Sequence, residues 1–402
     1  SVLWPRIAVT AVFIAHGLLF AAWTAHIPDV KAHLGLTDGT LGFALAGPPI
    51  GSVSAMLAAS WLLPRLGSRR IVQVALVGSC VAAPLVGLTG NLATLFVALF
   101  AWGAFQGTLD VAMNTQAIAI ERTGRQVLMS GLHGTWSIGS FVGAGIGALA
   151  VVAGISLSLQ QLVLGTIALL VAGLLTTRML PTAAEHPSAA NADAAAVAGP
   201  AQAAHRGRGS SSRWSGGMVL LGAIAFASML CEGATADWAA VYLSGPLHAS
   251  GVVPGLGYAA FALAMVAVRL SGDRLLTRYR ANRLLPALAA TATIGFGASL
   301  LIGNPIVSLL GFACLGIGLG SLIPAVFSAA GRIPGLHAGT AVATASACGW
   351  AGFVIGPPLI GRLATLTSLP AALAILPLLT ALIVVGTRTS VALGNRQLAD
   401  TG

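Results

Sequence analysis

The chain has 402 residues, of which 56% are hydrophobic and only 7% are charged, and its mean hydropathy is +0.91. A soluble globular protein carries about 25% charged residues, so this composition leaves too little polar surface for a water-soluble fold. The composition argues against soluble enzymes, nucleic-acid-binding domains and secreted disulfide scaffolds, and it predicts an integral membrane protein.

Twelve apolar stretches have the length that a membrane-crossing helix needs, roughly 20 residues at about 1.5 Å rise per residue. The predicted spans are 5–27, 40–63, 71–89, 92–119, 128–153, 158–179, 216–243, 253–276, 284–302, 305–330, 338–363 and 368–387. We therefore predict an all-α membrane protein with twelve transmembrane helices in two six-helix bundles.

Basic residues fall almost entirely on one side of these spans. If the N-terminus is cytoplasmic, 18 of the 20 lysine and arginine residues lie inside, and only Lys31 and Arg362 lie outside. Positive charge concentrates in the cytoplasmic loops of membrane proteins. The pattern predicts a multi-pass membrane protein with both termini in the cytoplasm. It also accounts for the net charge of +10 without a nucleic-acid partner.

Residues 181–215 interrupt the apolar pattern with a segment rich in Ala, Ser, Gly and Pro. Such a segment buries too little apolar surface to hold a fixed fold. We predict a flexible cytoplasmic linker between an N-terminal bundle, residues 1–180, and a C-terminal bundle, residues 216–402. A short surface helix over part of the linker is the alternative.

The two predicted bundles resemble each other weakly. Gly316 and Gly320 follow Gly103 and Gly107 at a distance of 213 positions, and Phe353 follows Phe141 at a distance of 212. Parallel six-helix repeats are typical of transporters that rock about a site near the middle of the membrane.

Two loops carry related basic patterns, SWLLPRLGSRR at 60–70 and GDRLLTRYR at 272–280. With the twelve-helix layout, they resemble the loop signature of the major facilitator superfamily. That signature has an acidic residue where this chain has Pro64 and Thr277, and Asp273 is displaced from it. The resemblance implies transport by alternating access, while the missing acidic partners argue against the usual charge-relay gate at these loops.

Within that superfamily the chain is most similar to the fucose–proton symporter group and its uncharacterised bacterial inner-membrane relatives. The stretches that carry this similarity are LDVAMN at 109–114, SLIPAVFS at 321–328, CEGATADW at 231–238 and LHGTWSIG at 132–139. In that group an acidic residue is followed four positions later by Asn, as Asp110 is followed by Asn114 here. The resemblance suggests a sugar-like substrate and, as the location, a bacterial cytoplasmic (inner) membrane.

Asp110 is the first candidate for coupling transport to protons. A charge in the middle of a membrane costs at least ~2.5–3.5 kcal/mol, so an acid placed there needs a partner or a function. At about 100° per residue, Trp102, Gln106, Asp110 and Asn114 lie along one stripe of the fourth helix. This stripe would suit recognition of a polar substrate, and Asp110 would gain and lose a proton near neutral pH. A helix-packing hydrogen bond is the alternative.

Four further titratable residues are candidates for proton coupling or substrate binding. Glu232 is the second proton-coupling candidate, with a buried ion pair or hydrogen bond as the alternative. Asp237 fits an interfacial position equally well. His133 and His16 could relay protons or bind substrate, although a lone buried histidine is more often a packing residue. No lysine or arginine is expected deep in a span, which argues against anionic cargo.

Tryptophans within the spans supply candidate stacking surfaces for a sugar-like ring, with ordinary packing as the alternative. The candidates are Trp23, Trp102, Trp136 and Trp350.

The sequence therefore predicts a proton-coupled symporter of a small polar, sugar-like solute, acting without a cofactor. A phosphate-binding GxxxxGK[ST] motif is missing, which argues against ATP as the energy source, and no nucleophile–base set indicates an enzyme. A proton-coupled exporter of drugs or metabolites is the main alternative, and a non-transporting receptor is a further one. Because one chain contains a whole pathway, we expect a monomer.

Overall fold

The computed structural model describes residues 2–124, 128–181, 215–279, 281–333, 336, 338–390 and 393. Within these ranges twelve helices are long and apolar enough to cross a membrane, which confirms the predicted number. In chain order they are α1 (Leu3–Thr24), α2 (Asp38–Leu45 with Gly47–Leu66), α3 (Ser68–Val86), α4 (Leu92–Gly124), α5 (Met129–Val152), α6 (Leu157–Ala168, then the turns Leu169–Gly173 and Thr176–Arg178), α7 (Gly216–Ser244), α8 (Val253–Arg278), α9 (Ala281–Ile302), α10 (Pro305–Leu319 with Leu322–Ala330), α11 (Ala338–Leu366) and α12 (Leu369–Leu373 with Ile375–Thr389). The predicted linker falls almost wholly on residues 182–214, which lie outside the described residues.

The α4 helix continues to Gly124, past its predicted end at residue 119. The added turn is polar, and its Glu121 carboxylate accepts hydrogen bonds from the backbone N–H groups of Leu128 (2.5 Å) and Met129 (2.8 Å). These donors stand at the start of α5, where a helix has unpaired N–H groups and favours negative charge. Glu121 therefore caps α5 and ties its start to the end of α4.

Each half repeats the same helix contacts. In the first half α1 packs on α5, α2 on α4, and α3 on both α4 and α6. In the second half α7 packs on α11, α8 on α10, and α9 on both α10 and α12. The pairs correspond after a shift of six helices, which agrees with the repeat seen in the sequence.

Glycines place these helix pairs at close distance. A Cβ atom at Gly103 would overlap the backbone of Pro48 where α4 crosses α2, and one at Gly316 would overlap Phe261 where α10 crosses α8. Both members of the second pair follow their counterparts by 213 positions. Small residues let membrane helices approach until their backbones touch. The aligned glycines of the sequence therefore make the same crossing in each half.

The α1–α5 contact uses a row of three glycines. Cβ atoms at Gly139, Gly143 and Gly147 would each overlap the α1 backbone, whereas one at Gly145 would meet no atom within 4 Å. The small residues on this one face of α5 therefore bring the two helices together.

We expect Gly143→Val to destabilise the protein, because its side chain would have to displace the α1 backbone at Leu18. Overpacking a close contact costs roughly 1–3 kcal/mol or more. The expected result is a melting temperature several degrees lower in detergent, with a smaller monodisperse fraction. Gly145→Val is the matched control on the same helix and should melt like the wild type; equal melting of both variants would contradict the packing account.

Candidate functional site

A cavity of about 270 Å³ lies between the two halves. Its walls come from α1, α2, α4 and α5 in the first half and from α7, α8, α10 and α11 in the second. These are corresponding helices of the two repeats, so the cavity lies on the seam where the repeats face each other.

The cavity is closed at one end of the helix bundle. Arg6, Arg65, Arg178 and Arg388 mark the end at which α1 begins, which we call the basic end. At the opposite end α2 packs on α11, where a Cβ at Gly42 would overlap the Pro357 backbone. There α5 also packs on α8, where Gly255 leaves no room for a Cβ beside Ala148.

Exposure of the lining residues indicates that the cavity opens toward the basic end. His133 lies in the second turn of α5 at that end, and its side chain is exposed. Deeper lining residues, such as Trp23 and Leu45 near the opposite end, are 2% and 1% exposed. Contacts that seal the opposite end thus leave a path toward the basic end.

Ten of the eleven residues predicted as site candidates line this cavity. Asn114 is the one that does not. The ten are His16, Trp23, Trp102, Gln106, Asp110, His133, Trp136, Glu232, Asp237 and Trp350.

Asn114 does not line the cavity but hydrogen-bonds Asp110, which does. Its side-chain Nδ2 donates to the backbone carbonyl of Asp110 (2.8 Å) and to the Asp110 carboxylate Oδ1 (3.1 Å). The amide therefore holds the carboxyl group in place, and Asp110 itself is half-buried at the cavity surface. Asn114 positions an acid in the site instead of contacting the cavity.

A relay of hydrogen bonds fixes the other two members of the α4 stripe. Trp102 Nε1 donates to Ser79 Oγ (3.2 Å), and Ser79 Oγ donates to Gln106 Oε1 (3.0 Å). Trp102 also packs edge-on against Trp23, with ring centroids 6.4 Å apart. The sequence did not single out Ser79, because α3 carries no lining residue and only the fold brings this hydroxyl between the two side chains.

His16 is held by partners on both ring nitrogens. Trp136 Nε1 donates to His16 Nδ1 (2.7 Å), and His16 Nε2 lies 3.2 Å from the Gln106 carbonyl oxygen. An indole N–H only donates, so Nδ1 carries no proton and the ring donates from Nε2 as the neutral tautomer. His16 thus joins α1, α4 and α5 at the cavity wall, and both of its nitrogens are occupied.

Glu232 and Asp237 both face the cavity from α7, which is a continuous helix through Gly233. On an ideal helix they point about 140° apart, so they reach separate parts of the cavity and do not share a proton as a pair. Within the described part of the chain, neither carboxylate has a basic partner within 4.0 Å. Both half-buried acids are therefore available to a solute or a proton.

Arg269 corrects one expectation. The charge pattern places it on the cytoplasmic side with the other basic residues, and the sequence predicts no basic residue deep in a span. Arg269 instead lies within the apolar part of α8 and lines the cavity. Its Nη1 donates to Ser137 Oγ on α5 (2.9 Å), and its Nε donates to the Gly320 carbonyl (3.4 Å). The predicted span 253–276 includes this position, and its presence on the cavity removes the argument against an anionic solute.

Tyr258 is a second lining residue that the sequence did not single out. It lies on α8, is 4% exposed, and packs edge-on against Phe20 of α1 with ring centroids 6.2 Å apart. A tyrosine near the start of an apolar helix is typical of the membrane interface, so its sequence position gave no separate signal.

Comparison with protein families and relatives gives a consistent result. A model of the Major Facilitator Superfamily matches residues 8–338. The chain is 32% identical to an uncharacterised MFS-type transporter of Yersinia pestis, over 93% of this chain and 92% of that protein. It is 31% identical to membrane protein MosC of Rhizobium meliloti, over 92% and 86% of the two chains.

The fold is also similar to crystal structures of the nucleoside transporter NupG. A mutant form aligns with a TM-score of 0.75 over 96% of this chain and 99% of that chain, at 12% identity. A second NupG structure aligns with a TM-score of 0.70 over 95% and 98% of the two chains, at 11% identity. At this level of identity the similarity shows the fold alone.

We expect a cysteine at His133 to react with a membrane-impermeant maleimide only from the cytoplasmic side. This follows from the exposure of His133 and from the predicted placement of the basic end in the cytoplasm. In a background without native cysteines, Leu45→Cys is the buried control and should stay unlabelled without solute. Labelling of His133→Cys from the outside would contradict either the opening or the orientation.

Proposed function

The chain belongs to the major facilitator superfamily, and on that premise we propose that it carries a small polar, sugar-like solute across the cytoplasmic membrane by proton-coupled symport. Transporters of this architecture bind their solute near the middle of the membrane, between the two repeats. The cavity on the seam between α1–α6 and α7–α12 is in that position. In the proposed cycle the halves rock about it, so that it opens first to one side and then to the other.

The observation that carries the proton coupling is the set of three acids facing one cavity. Asp110, Glu232 and Asp237 line it, and Arg269 is the one arginine among its described lining residues. Acids inside a membrane protein mark proton and ion pathways. In the proposal Asp110 takes up the proton, because Asn114 holds its carboxyl group at the cavity surface.

Glu232 is the second proton-coupling site in the proposal. It faces the cavity from the second half and has an electrostatic interaction with Arg269 of α8. Because Arg269 also bonds Ser137 of the first half, a change in the charge on Glu232 would act on a side chain that joins the two halves. Asp237 and His133 are further candidates for passing the proton between the cavity and its surroundings.

The aromatic walls support a solute with a flat apolar face and polar edges. Trp23, Trp102, Trp136 and Trp350 line the same cavity as Asp110 and the other acids. Indole rings pack on the apolar face of a sugar, while the polar groups bond its hydroxyls. Nucleosides contain both a sugar and a flat base, and the similarity to NupG makes them the second class to test beside free sugars.

The solute class is tested by thermal-shift measurements on the purified protein with sugars, nucleosides, amino acids and lipophilic cations at pH 5.5 and pH 7.5. A ligand that binds only the folded state raises the melting temperature by mass action. We expect stabilisation by a sugar or nucleoside. Stabilisation by lipophilic cations alone would contradict this proposal and would favour the exporter.

We expect Asp110→Asn to abolish accumulation of the stabilising solute driven by a pH gradient in proteoliposomes. The amide side chain cannot bind and release a proton as a carboxyl group does. Exchange of labelled for unlabelled solute without a gradient should persist. Asp29→Asn is the matched control, since Asp29 is 62% exposed and lies outside the cavity. Uphill accumulation by Asp110→Asn at the wild-type level would remove Asp110 from the mechanism.

A further inference from the structure

Gln106 has an amide nitrogen whose hydrogen-bonding capacity is unused. The residue is 7% exposed, it lines the cavity, and its Nε2 has no hydrogen-bond partner among the described residues. Buried polar groups in folded proteins are nearly always paired, so an unpaired one requires an explanation. A donor at the wall of a binding cavity is explained if a ligand supplies the acceptor.

The relay through Ser79 decides which end of this amide is left without a partner. The Trp102 N–H can only donate, so Ser79 Oγ accepts that hydrogen bond and donates its own hydroxyl hydrogen to another acceptor. The acceptor within reach of that proton is Gln106 Oε1, at 3.0 Å. With its oxygen held by the hydroxyl, the amide keeps its NH2 group as the unpaired end, buried in the wall of the cavity. The reversed amide would leave the hydroxyl proton of Ser79 without a described acceptor.

We infer that Gln106 determines specificity by presenting an oriented NH2 donor to an acceptor oxygen of the solute, and that Ser79 and Trp102 hold it in that orientation. The inference rests on the proposed transport of a polar solute and deepens it. Asp110 lies one turn further along the same face of α4, about 6 Å away between Cβ atoms. A carboxyl group keeps an acceptor oxygen whether or not it is protonated, so the two residues offer a donor and an acceptor side by side. Adjacent hydroxyl groups of a sugar ring match this pair.

This arrangement predicts how the solute is selected. A solute that lacks the acceptor oxygen leaves the Gln106 NH2 buried without a partner, which costs more than the bond itself contributes. Sites built around a hydrogen bond reject analogues that lack the matching group. Removal of one hydroxyl from the solute should therefore weaken binding more than its lost contact area accounts for.

The test uses D-galactose, D-ribose and uridine as probes, each with its single-deoxy analogues, bound to the purified full-length protein and followed by thermal shift and isothermal calorimetry. Gln106→Met removes the donor at similar size. Ser79→Ala removes the relay at a residue that is fully buried and outside the cavity. Ser54→Ala is the control, because that hydroxyl is exposed and bonds only the Ile50 carbonyl among the described residues.

In the wild type we expect one deoxy analogue to bind about threefold to tenfold more weakly than its parent solute. Gln106→Met should bind the parent solute and that analogue with equal affinity. Ser79→Ala should show a smaller difference in affinity than the wild type, and Ser54→Ala should show the wild-type difference. Variant melting temperatures without solute show whether each variant is folded. If Gln106→Met keeps the wild-type difference in affinity between the parent solute and the analogue, the role of Gln106 is overturned. If Ser79→Ala keeps that difference in affinity while Gln106→Met loses it, the role of the Ser79 relay is overturned.

Failure of the inference differs from failure of the proposed function. If a probe binds and accumulates in an Asp110-dependent way while Gln106→Met discriminates as the wild type does, only the inference is wrong. If none of the three probes stabilises the wild-type protein, the proposed solute class fails and the inference fails with it.

Discussion

The structure depends on backbone contact between helices at glycines. Lipid tails are as apolar as leucine side chains, so no hydrophobic force drives helices together inside a membrane, and close packing has to do so. Gly139, Gly143 and Gly147 bring α5 onto α1, and Gly103 brings α4 onto α2. The second half repeats these contacts with α7, α8, α10 and α11. Glycines also join the halves, at Gly42 of α2 and Gly255 of α8, and the cavity lies between the same four helices of each half.

The two halves share their packing but differ in their chemistry. At the repeat distance of 213 positions, Gln106 corresponds to Leu319 and Asp110 to Ile323. Asp110 and Ile323 both line the cavity, one carrying a carboxyl group and the other a hydrocarbon side chain. In the second half the acids lie on α7 instead, at Glu232 and Asp237. The packing is therefore repeated in the two halves, while each half places different polar groups on the shared cavity wall.

Much of the fold and part of the site could be predicted from the sequence. A membrane helix must be long and apolar, and a charge inside the membrane is costly unless it has a partner or a function. These constraints gave the twelve spans and placed Asp110, Glu232 and Asp237 among the candidates. They could not distinguish Asn114, which faces Asp110, from a residue that faces the cavity, since both lie on one helical stripe. They also missed Ser79, a small hydroxyl that matters only through its spatial neighbours. Arg269 falls within the predicted span 253–276, but it was missed because the charge pattern groups it with the cytoplasmic arginines that follow it.

The central claim is that solute and proton pass through this cavity together. Its most direct test is the internal pH of proteoliposomes that contain a pH-sensitive dye and no starting gradient, recorded while a bound solute is added outside. The account predicts that solute entering down its own gradient carries protons with it, so that the lumen becomes more acidic at a rate proportional to solute uptake. Measured solute uptake with no change in lumenal pH would contradict proton-coupled symport.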